Sequence, residues 1–492
     1  MGELELKFGV PPEAQASLEA DVRRRGGRHI RLQAIYFDTA AGLLAQHKLS
    51  LRLRKEGRRW VQTLKAAGDS AIHRLEHNVE LSTAEDAVPI VDASLHDGSQ
   101  AGAALAAVLD GSGPIEALVE VHRADVSRRA LAIRIDESQV ELALDEGTLA
   151  AGKASQSVME LEIELKAGDP APMFELAKAC VGFGGLWLST VSKADRGARL
   201  ASGQACGAAV RAEEPKLHEK MSGDALLRAV LQACLRQVLA NASEVAAGSL
   251  DEHHIHQLRV GLRRLRTALR ELGTLSPGVD AAWEDPLAHT FALLGEFRDD
   301  EAVVNAVRPL LEAAAAPLVE WKGSASKVKP PEAVRAVPFQ TVLLDLMAFA
   351  GRTESEPDAP APERAMEHIV RRLGKLHKQV VKEGKRFERL EALDQHKVRK
   401  RLKRLRYLSE FVQTLFGGKP FRRYIERLRP AQDALGAHND ALVALERFKA
   451  LAHTDANALF AVGFLEAHSA ATAKDCRRAL KAVAGASRFW RH

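Results

Sequence analysis

The sequence predicts a multidomain chain of 492 residues, with an antiparallel β domain followed by an all-α region. In residues 1–200 apolar and polar residues alternate in many short segments, a period of two that is typical of strands. From about residue 221 the apolar residues recur at helical spacing in long Leu/Ala/Arg-rich stretches. Two motifs in this helical region then recur in the same order at nearly one offset, which indicates an internal duplication.

The alternating segments predict the strands of the first domain, with helices expected at 11–25 and 170–182. In order, the segments are ELELKF, AIYFDT, LSLRLRKE, RWVQTLK, HRLEHNVEL, ALVEVHRADV, ALAIRIDE, QVELALDEG and VMELEIELKAG. Several have Gly or Asp at their ends, as strands joined by turns do. We therefore place a β domain at residues 1–200 and a linker at 201–220.

The helical region divides into two similar halves, at 221–350 and 362–492, with a Pro-rich linker at 351–361 between them. The matching motifs are HQLRVGLRRLR at 256–266 with HKVRKRLKRLR at 396–406, and LLGEFRDDEAV at 293–303 with ALGAHNDALVA at 434–444. The offsets, 396−256=140 and 434−293=141, predict two related helical bundles with a pseudo-twofold relation.

Composition narrows the class of protein. Residues 1–200 hold 24 Lys+Arg against 29 Asp+Glu, which leaves 70−24=46 against 65−29=36 for the remainder. The net charges of the two parts are −5 and +10, so the two parts are expected to face different partners or different aspects of one partner. The four cysteines have no CxxC or Cys/His ligand spacing, so neither disulfides nor a zinc site is predicted. No apolar run reaches the roughly 18 to 20 residues of a membrane span, and no signal-peptide pattern is present. A cytoplasmic protein is expected.

One face of nearly every predicted strand carries ionisable side chains. In a strand, side chains two apart point the same way, so Glu3, Glu5 and Lys7 share one face while Leu4 and Leu6 share the other. An open sheet with its charged face in water would give this pattern. The alternative is a sheet closed into a barrel around a hydrated channel, where arginines hold the phosphates of a polyanion and carboxylates hold Mg²⁺ or Mn²⁺.

The ordered set of motifs resembles the CYTH superfamily, the triphosphate tunnel metalloenzymes. Glu3 to Lys7 is similar to the ExExK signature of that family. The other matching segments are YFDT (36–39), LRLR (51–54), TLK (63–65), the Arg123 segment, ELALDEG, ELEIELK and SKADRG (192–197). The resemblance covers most of residues 1–200. It implies a closed eight-stranded antiparallel tunnel with flanking helices, which hydrolyses or cyclises triphosphates with Mg²⁺ or Mn²⁺.

The resemblance also implies roles for individual residues. The metal-binding set is Glu3, Glu5, Asp145, Glu162 and Glu164, with Glu76 added. The set that holds the substrate phosphates is Lys7, Arg52, Arg54, Lys65, Arg123 and Lys193, with Arg74 and Arg134 added. In this interpretation a metal ion activates a water for attack on the terminal phosphorus, while the cations neutralise the leaving phosphate. A plain ion pair on a strand face is the alternative for each set.

The helical region carries basic stripes at helical spacing. The residues are His256, Arg259, Arg263, Arg266 and Arg270 in the first half, and His396, Arg399, Lys403 and Arg406 in the second, with Arg371, Lys375 and Lys378 on a preceding helix. A charge run is usually a solvated helix face, but its repetition in both halves favours a groove for a linear polyanion. A metal site is not predicted, because His253, His254 and His256 lack a clear ligand spacing with a carboxylate.

These helices resemble the CHAD domain, the conserved histidine α-helical domain, over roughly 221–492. That family is associated with binding of inorganic polyphosphate. Together the two resemblances predict a hydrolase acting on phosphoanhydride bonds, a metal-dependent inorganic triphosphatase with a polyphosphate-binding helical domain, which would suit a location at polyphosphate granules. The alternatives are a non-catalytic polyphosphate-binding protein, a class IV-type adenylyl cyclase and a thiamine triphosphatase. Nucleic acid competes for the groove, although an aromatic content of 5% argues against base stacking.

Overall fold

The structure is a computed structural model that describes residues 2–68, 73–82, 87–110, 118–319, 328–353 and 356–491. The side chains of 2–3, 73–74, 110 and 296–304 lie outside the described residues, so the predicted site residues Glu3 and Arg74 are described by their backbone alone. The chain forms two compact units, each built from separate stretches. The first comprises Met1–Arg211, Leu235–Leu258 and Pro330–Gly351, and the second comprises Ala212–Cys234, Arg259–Lys329 and Arg352–His492.

An antiparallel sheet dominates the first unit. Its strands are β1 (Gly2–Gly9), β2 (Arg28–Asp38), β3 (Ser50–Glu56), β4 (Arg59–Ala67), β5 (His73–Leu81), β6 (Val119–Ile135), β7 (Ser138–Ala151), β8 (Ala154–Ala167) and β9 (Trp187–Leu188). Their order is β5-β4-β3-β2-β6-β7-β8-β1-β9. The sequence prediction of an N-terminal antiparallel sheet is confirmed. The described sheet has nine strands where eight were predicted, because the two-residue strand β9 adds to β1.

Strand β1 makes pairings along both of its edges. On one edge residues 4–9 pair with residues 160–165 of β8. On the other edge residues 2–4 pair with β5, and residues 8–9 pair with β9. Strand β5, which stands first in the strand order, is therefore bonded to β1 as well as to β4.

Side chains on both faces of β1, and on the adjoining part of β8, are withdrawn from bulk water. On the apolar face Leu6, Phe8 and Ile163 are fully buried, as the alternating pattern predicts. On the charged face the side chains of Glu5 and Lys7 are each only 11% exposed. That exposure is far below that of a solvated strand face, so these two charged side chains lie largely out of bulk water.

Five helices are described within residues 1–211. They are α1 (Pro12–Arg24), α2 (Leu43–Gln46), α3 (Gln100–Asp110), α4 (Ala171–Val181) and α5 (Lys193–Ser202). Helices α1 and α4 confirm the two helices predicted for this domain. Helix α1 buries Leu18 and Val22, and α3 packs Ala101 and Leu105 into a core cluster with strands β3 and β4.

Helix α5 lies closely against the sheet. It begins with a capping box, in which the side chains of Ser192 and Asp195 each accept from the other's backbone N–H. A Cβ at Gly197 would stand 2.0 Å from a ring carbon of His122 on β6, so only glycine allows this approach. The SKADRG segment therefore does two things: it starts the helix, and it lets the helix come close enough for its first residues to reach the charged face.

Helices account for the chain beyond residue 211. They are α6 (Gly223–Ala246), α7 (Glu252–Leu272), α8 (Glu284–Ala313), α9 (Pro330–Arg335), α10 (Val337–Gly351), α11 (Pro362–Gly384), α12 (Ala392–Phe411), α13 (Gly418–Leu451) and α14 (Ala458–Ala484). The first pair of matching motifs, at 256–266 and 396–406, lies on α7 and α12. The second pair, at 293–303 and 434–444, lies on α8 and α13. The predicted helical region is confirmed, while the duplication and the division into halves stay predictions. Every described helix is too short or too polar to cross a membrane.

A buried carboxylate joins three helices of the second unit. The side chain of Glu271 on α7 is fully buried. Arg372 on α11 donates to its Oε2 through Nε at 3.0 Å and also through Nη2, and Arg404 on α12 donates to Oε1 at 3.1 Å. Two guanidinium groups thus compensate one buried carboxylate, and the pairing connects α7, α11 and α12.

Candidate functional site

Three carboxylates meet on the charged face of β7 and β8. Asp145 and Glu160 lie directly opposite one another in the β7–β8 pairing, and Glu162 follows two residues along β8 on the same face. Oxygen atoms of the three lie within 4.8 Å of one another. Asp145 is fully buried, and Glu160 and Glu162 are almost so. Carboxylates this close and this buried need cations to stay charged.

Lys193, the first residue of α5, supplies one of those cations. Its Nζ lies 2.7 Å from Asp145 Oδ2 and 2.9 Å from Glu162 Oε1, and it also contacts Glu160. Burial alone would lower the pKa of this ammonium, but the three carboxylates raise it well above its usual value. The ammonium therefore stays charged and holds the carboxylates together.

Arg128 on β6 supplies a second cation. Its Nε and Nη2 donate to the two oxygens of Asp145 at 2.7 Å each, a bidentate pair, and Nη2 also contacts Glu162. Although burial lowers the pKa of this guanidinium, Glu162, Asp145 and, from β1, Glu5 hold it well above its usual value. Lys7 completes the group, with its Nζ 3.4 Å from Glu162 Oε1 and 3.9 Å from Glu5 Oε2.

The pKa values of Glu160 and Glu162, two residues apart on β8, are shifted in opposite directions. Burial raises the pKa of the Glu160 carboxyl above its usual value despite the charges of Lys193 and Lys7. Burial acts in the same direction on Glu162, but Lys193, Arg128 and Lys7 outweigh it and hold that pKa well below the usual range. These cations therefore favour the ionised form of Glu162. Two acids on one strand with opposite shifts are typical of a functional site.

A second group of charges lies on β3, β4 and β5. Lys65 on β4 stands 2.7 Å from Glu76 on β5, and Arg52 on β3 donates from Nη1 to the Tyr36 hydroxyl at 3.3 Å. Arg54 contacts Glu56, and its pKa is lowered first by the charge of Arg52 and then by burial. Two crowded guanidinium groups raise the local positive potential and favour an anion beside them.

Charges on strands that are not neighbours influence one another. Burial raises the pKa of Glu164 on β8, and Lys65 on β4 opposes that rise. The guanidinium of Arg128 on β6 helps to lower the pKa of Arg54 on β3. β4 and β8 are not bonded in the sheet, nor are β3 and β6, so these charges act beyond the neighbouring strand. Charged residues of seven strands thus lie on the same face of the sheet.

The other predicted site residues are placed as follows. Glu164 contacts Lys166 at 2.6 Å beside this group. Arg123 pairs with Glu120 at 2.6 Å and is 58% exposed, and Arg134 is 73% exposed beside Glu137, so the structure does not bring either into the group. The side chains of Glu3 and Arg74 lie outside the described residues, although their backbones pair with each other in the β1–β5 ladder.

Arg128, Glu160 and Arg196 belong to this site but were not predicted. Arg196 on α5 donates to Glu160 Oε2 at 3.4 Å. Arg128 could have been found from the hairpin that turns at Asp136. The turn pairs residue 135 with residue 138, and in an antiparallel pair the two residue numbers always add up to the same value, here 273. Residue 128 must then lie opposite Asp145. Glu160 could have been found in the same way, since it lies opposite Asp145 in the next hairpin.

The trio of Asp145, Glu160 and Glu162 fits a hard divalent cation. Three carboxylate oxygens within 4.8 Å of one another form the donor set that Mg²⁺ and Mn²⁺ prefer. The ammonium of Lys193 now contacts all three, which is a direct sign that the position favours positive charge. Thiolate and imidazole groups are not part of this trio, so a softer metal is not favoured there.

Cations from two helices of the second unit also lie close together. Burial and the charges of Arg263, Arg399 and Arg406 lower the pKa of Lys403 on α12 to about 6. Burial lowers the pKa of Lys400 too, with Arg266 and Arg270 of α7 adding to the effect. The basic stripe of α7 and that of α12 therefore share a region of positive potential.

The remaining residues of the stripes take several positions. Arg259 is buried with its guanidinium 4.8 Å from the centre of the Phe291 ring, and Arg266 donates to Glu284 at 2.6 Å. His396 Nδ1 lies 3.0 Å from Asn439 Oδ1. Four further members are exposed on α7 and α11, namely His256, Arg371, Lys375 and Lys378.

In comparisons with known proteins, two family models match parts of the chain. The model of the CYTH domain matches residues 1–198, and the model of the CHAD domain matches residues 229–449. An inorganic triphosphatase of Haemophilus influenzae is 27% identical over 208 residues, which is 41% of this chain and 56% of that relative. The chain thus aligns with little more than half the length of that relative.

Two further similarities extend over the helical region. An uncharacterized protein of Mycobacterium tuberculosis is 27% identical over 519 residues, covering 98% of this chain and 95% of the relative. The crystal structure of the CHAD domain from the plant Ricinus communis is 26% identical, with a TM-score of 0.46, and covers 56% of this chain and 96% of that chain.

Proposed function

The chain carries a CYTH domain at residues 1–198 and a CHAD domain at residues 229–449, and from this pairing we propose that it is a metal-dependent inorganic triphosphatase with a polyphosphate-binding helical domain. The observation that carries the proposal is the buried group of carboxylates and cations on the charged face of the sheet. The relative in Haemophilus influenzae is an inorganic triphosphatase, and this supports hydrolysis of phosphoanhydride bonds by the present chain.

In the proposal the sheet encloses a tunnel that receives tripolyphosphate. The pairing of β1 with both β8 and β5 supports this closure. So does the mutual influence of charges on strands that are not neighbours, because side chains that meet across a sheet face need that face to curve around them. The low exposure of Glu5 and Lys7 also fits an enclosed space.

Asp145, Glu160 and Glu162 would hold the metal ion, with Glu5, Glu164 and Glu76 nearby as further carboxylates of the predicted set. When bound, a divalent ion there would lower the pKa of a water and offset the charge of the phosphates. Lys193 and Arg128 favour the ionised form of Glu162 in the meantime, as the depressed pKa of that carboxyl indicates. The site is thus preorganised for a cation before any substrate arrives.

The cations on the same face would bind and orient the triphosphate. Arg52 and Arg54 offer two guanidinium groups side by side, and Tyr36 positions Arg52 through its hydroxyl. Lys65 on β4 and Lys7 on β1 stand on other walls of the same space. A chain of three phosphates held at several points has little freedom to move, so its terminal phosphorus is fixed relative to the carboxylates.

A substrate panel tests the activity. We expect the full chain with Mg²⁺ or Mn²⁺ to release phosphate from tripolyphosphate faster than from thiamine triphosphate or ATP, because the described site offers charges for phosphates rather than a pocket for a base. Formation of a cyclic nucleotide from ATP would favour a cyclase instead. Binding of tripolyphosphate without any phosphate release would favour a non-catalytic polyphosphate-binding protein.

The second part of the proposal concerns the helical region. The stripes of α7 and α12 share a positive region in which Arg263 and Arg399 both depress the pKa of Lys403. A long polyanion lying there would contact several of these cations at once and release counterions, so its binding should weaken with salt. Competition between long-chain polyphosphate and duplex DNA at matched salt decides the ligand, and a preference for DNA would contradict the proposal.

Binding of polyphosphate is expected to take up a proton at Lys403. Its pKa of about 6 means that the side chain is mostly neutral at pH 7.5, and an adjacent phosphate raises that pKa because it favours the ammonium. The affinity should therefore be highest below pH 6 and fall as the pH rises to 8, by up to about tenfold per unit for one proton. Calorimetry in buffers with different ionisation enthalpies measures the uptake.

Two variants test whether Lys403 is the residue that takes up the proton. Lys403→Met should abolish the uptake and flatten the pH dependence between pH 6 and 8. Lys397→Met is the matched control, since Lys397 is exposed on the same helix and paired with Asp394. An undiminished slope in Lys403→Met would assign the proton to another residue.

A further inference from the structure

Three side chains of different chemistry meet beside the first turn of α7. A sulfur of Cys206, a carboxylate oxygen of Asp251 and a ring nitrogen of His254 lie within 4.8 Å of one another. Cys206 belongs to the segment after α5, whereas Asp251 immediately precedes α7 and His254 lies in its first turn. No sequence spacing connects the cysteine with the other two, and for this reason the sequence did not predict a site here.

Both ring nitrogens of His254 are hydrogen-bonded. It is fully buried, and its Nε2 lies 3.0 Å from the carbonyl oxygen of Gly207. A carbonyl only accepts, so Nε2 carries the proton and Nδ1 has the lone pair. Nδ1 now lies 2.9 Å from the hydroxyl of Ser249, which donates to it. Metal-bound histidines typically donate their second N–H to a backbone carbonyl in this way.

Asp251 is held in place and ionised. Its Oδ1 accepts from the backbone N–H of His253 at 2.8 Å and lies 3.0 Å from the Nδ1 of that residue. These hydrogen bonds from His253 lower the pKa of the carboxyl below its usual value. Asp251 is 41% exposed and Cys206 is half-buried, so an ion can reach the three groups from solvent.

We propose that Cys206, Asp251 and His254 form a binding site for Zn²⁺ or a divalent ion of similar softness, with water as a fourth ligand. A thiolate, an imidazole and a carboxylate are the zinc ligands of proteins, and three of them with one water give a tetrahedral site. The site differs in chemistry from the all-oxygen trio of Asp145, Glu160 and Glu162, which favours Mg²⁺ or Mn²⁺. Binding converts the Cys206 thiol to a thiolate and releases one proton.

The ion would tie the segment around Cys206 to the beginning of α7. In the structure, His254 at the beginning of α7 donates a hydrogen bond to Gly207, the residue after Cys206. A metal bridge between residues 206 and 254 is much stronger than one hydrogen bond, and it closes a long loop of the chain. Zn²⁺ should therefore raise the melting temperature of the protein.

Cobalt spectroscopy tests the site. Metal-free full-length protein titrated with Co²⁺ should develop a sulfur-to-cobalt charge-transfer band and the intense visible bands of tetrahedral cobalt, saturating at one equivalent. Zn²⁺ should abolish both bands, whereas excess Mg²⁺ should leave them. The readout depends on a sulfur ligand and not on phosphate hydrolysis, so it is independent of whether the chain is a triphosphatase.

Three variants complete the test. Cys206→Ser should lose the charge-transfer band, and His254→Gln, which can still donate to Gly207, should weaken Co²⁺ binding at least tenfold. Cys476→Ala is the control, since this free cysteine is buried within α14. The proposal is overturned if native protein shows no sulfur-to-cobalt band, or if the band survives in Cys206→Ser. If Cys206→Ser folds poorly, Zn²⁺ should still raise the melting temperature of native protein and of Cys476→Ala.

Discussion

Arg128→Ala is expected to lower kcat/KM for tripolyphosphate by roughly 10²- to 10³-fold, the loss seen when one preorganised charge-stabilising group is removed from an active site. Arg128 makes the bidentate contact to Asp145 and also touches Glu162. Without it, two buried carboxylates lose a partner, so the pKa of Glu162 should rise and its hold on a cation should weaken. Steady-state phosphate release with purified variant and native chain measures the change.

Arg129→Ala is the matched control for this prediction. Arg129 is the next residue of β6 and points to the other face, where it lies 3.5 Å from Glu19. Its removal should change kcat/KM by less than about twofold, because a surface ion pair contributes little. Equal losses in the two variants would mean that the face to which the side chain points is irrelevant, and the proposed site would be wrong.

Glu271→Ala is expected to destabilise the helical unit by about 3 to 5 kcal/mol, the usual result of removing one partner from a buried ion pair. The change leaves the partly buried guanidinium groups of Arg372 and Arg404 together without the carboxylate to which both donate. It should therefore lower the urea midpoint of the helical transition, followed by circular dichroism. Glu271→Gln should lose less stability, since the amide oxygen still accepts one hydrogen bond.

Glu284→Ala is the control for the helical unit. Glu284 pairs with Arg266 at 2.6 Å, but it is 37% exposed, so the expected loss is below about 1 kcal/mol. A loss in Glu271→Ala as small as that in Glu284→Ala would show that the buried carboxylate does not stabilise the contact between α7, α11 and α12.

Strand periodicity accounts for the parts of the site that could be predicted from sequence. Glu5, Lys7, Glu162 and Glu164 alternate with buried Leu and Ile, and a period of two places all four on one face without knowledge of the fold. What periodicity could not provide was the proposal that the sheet curves into a tunnel. That came from the resemblance to the CYTH family.

Arg123 and Arg128 show where the prediction lost accuracy. The two are five positions apart on β6 and therefore point to opposite faces. The resemblance selected Arg123, but the cross-strand register places Arg128 opposite Asp145. Register depends on the turn at Asp136, whose left-handed backbone (φ 52°) is a property that a residue name only weakly predicts.

Contacts between distant segments were beyond sequence analysis. The depressed pKa of Lys403 requires Arg263, which comes from another helix, and the cluster at His254 requires Cys206 from an irregular segment. Helical spacing predicts which residues share a face of one helix but not which helix that face meets. The basic stripes were thus predictable, and their shared positive region was not.

The most direct measurement is the rate of phosphate release from tripolyphosphate by the full chain, freed of divalent ions and then supplied with Mg²⁺ or Mn²⁺, beside Glu162→Gln under the same conditions. We expect the native chain to release phosphate only when the metal is present. Glu162→Gln should be at least about 100-fold slower, because an amide cannot provide the charge that Glu162 contributes to a metal site. Release by the native chain that persists without divalent ions, or equal release by both proteins, would contradict metal-dependent hydrolysis at this site.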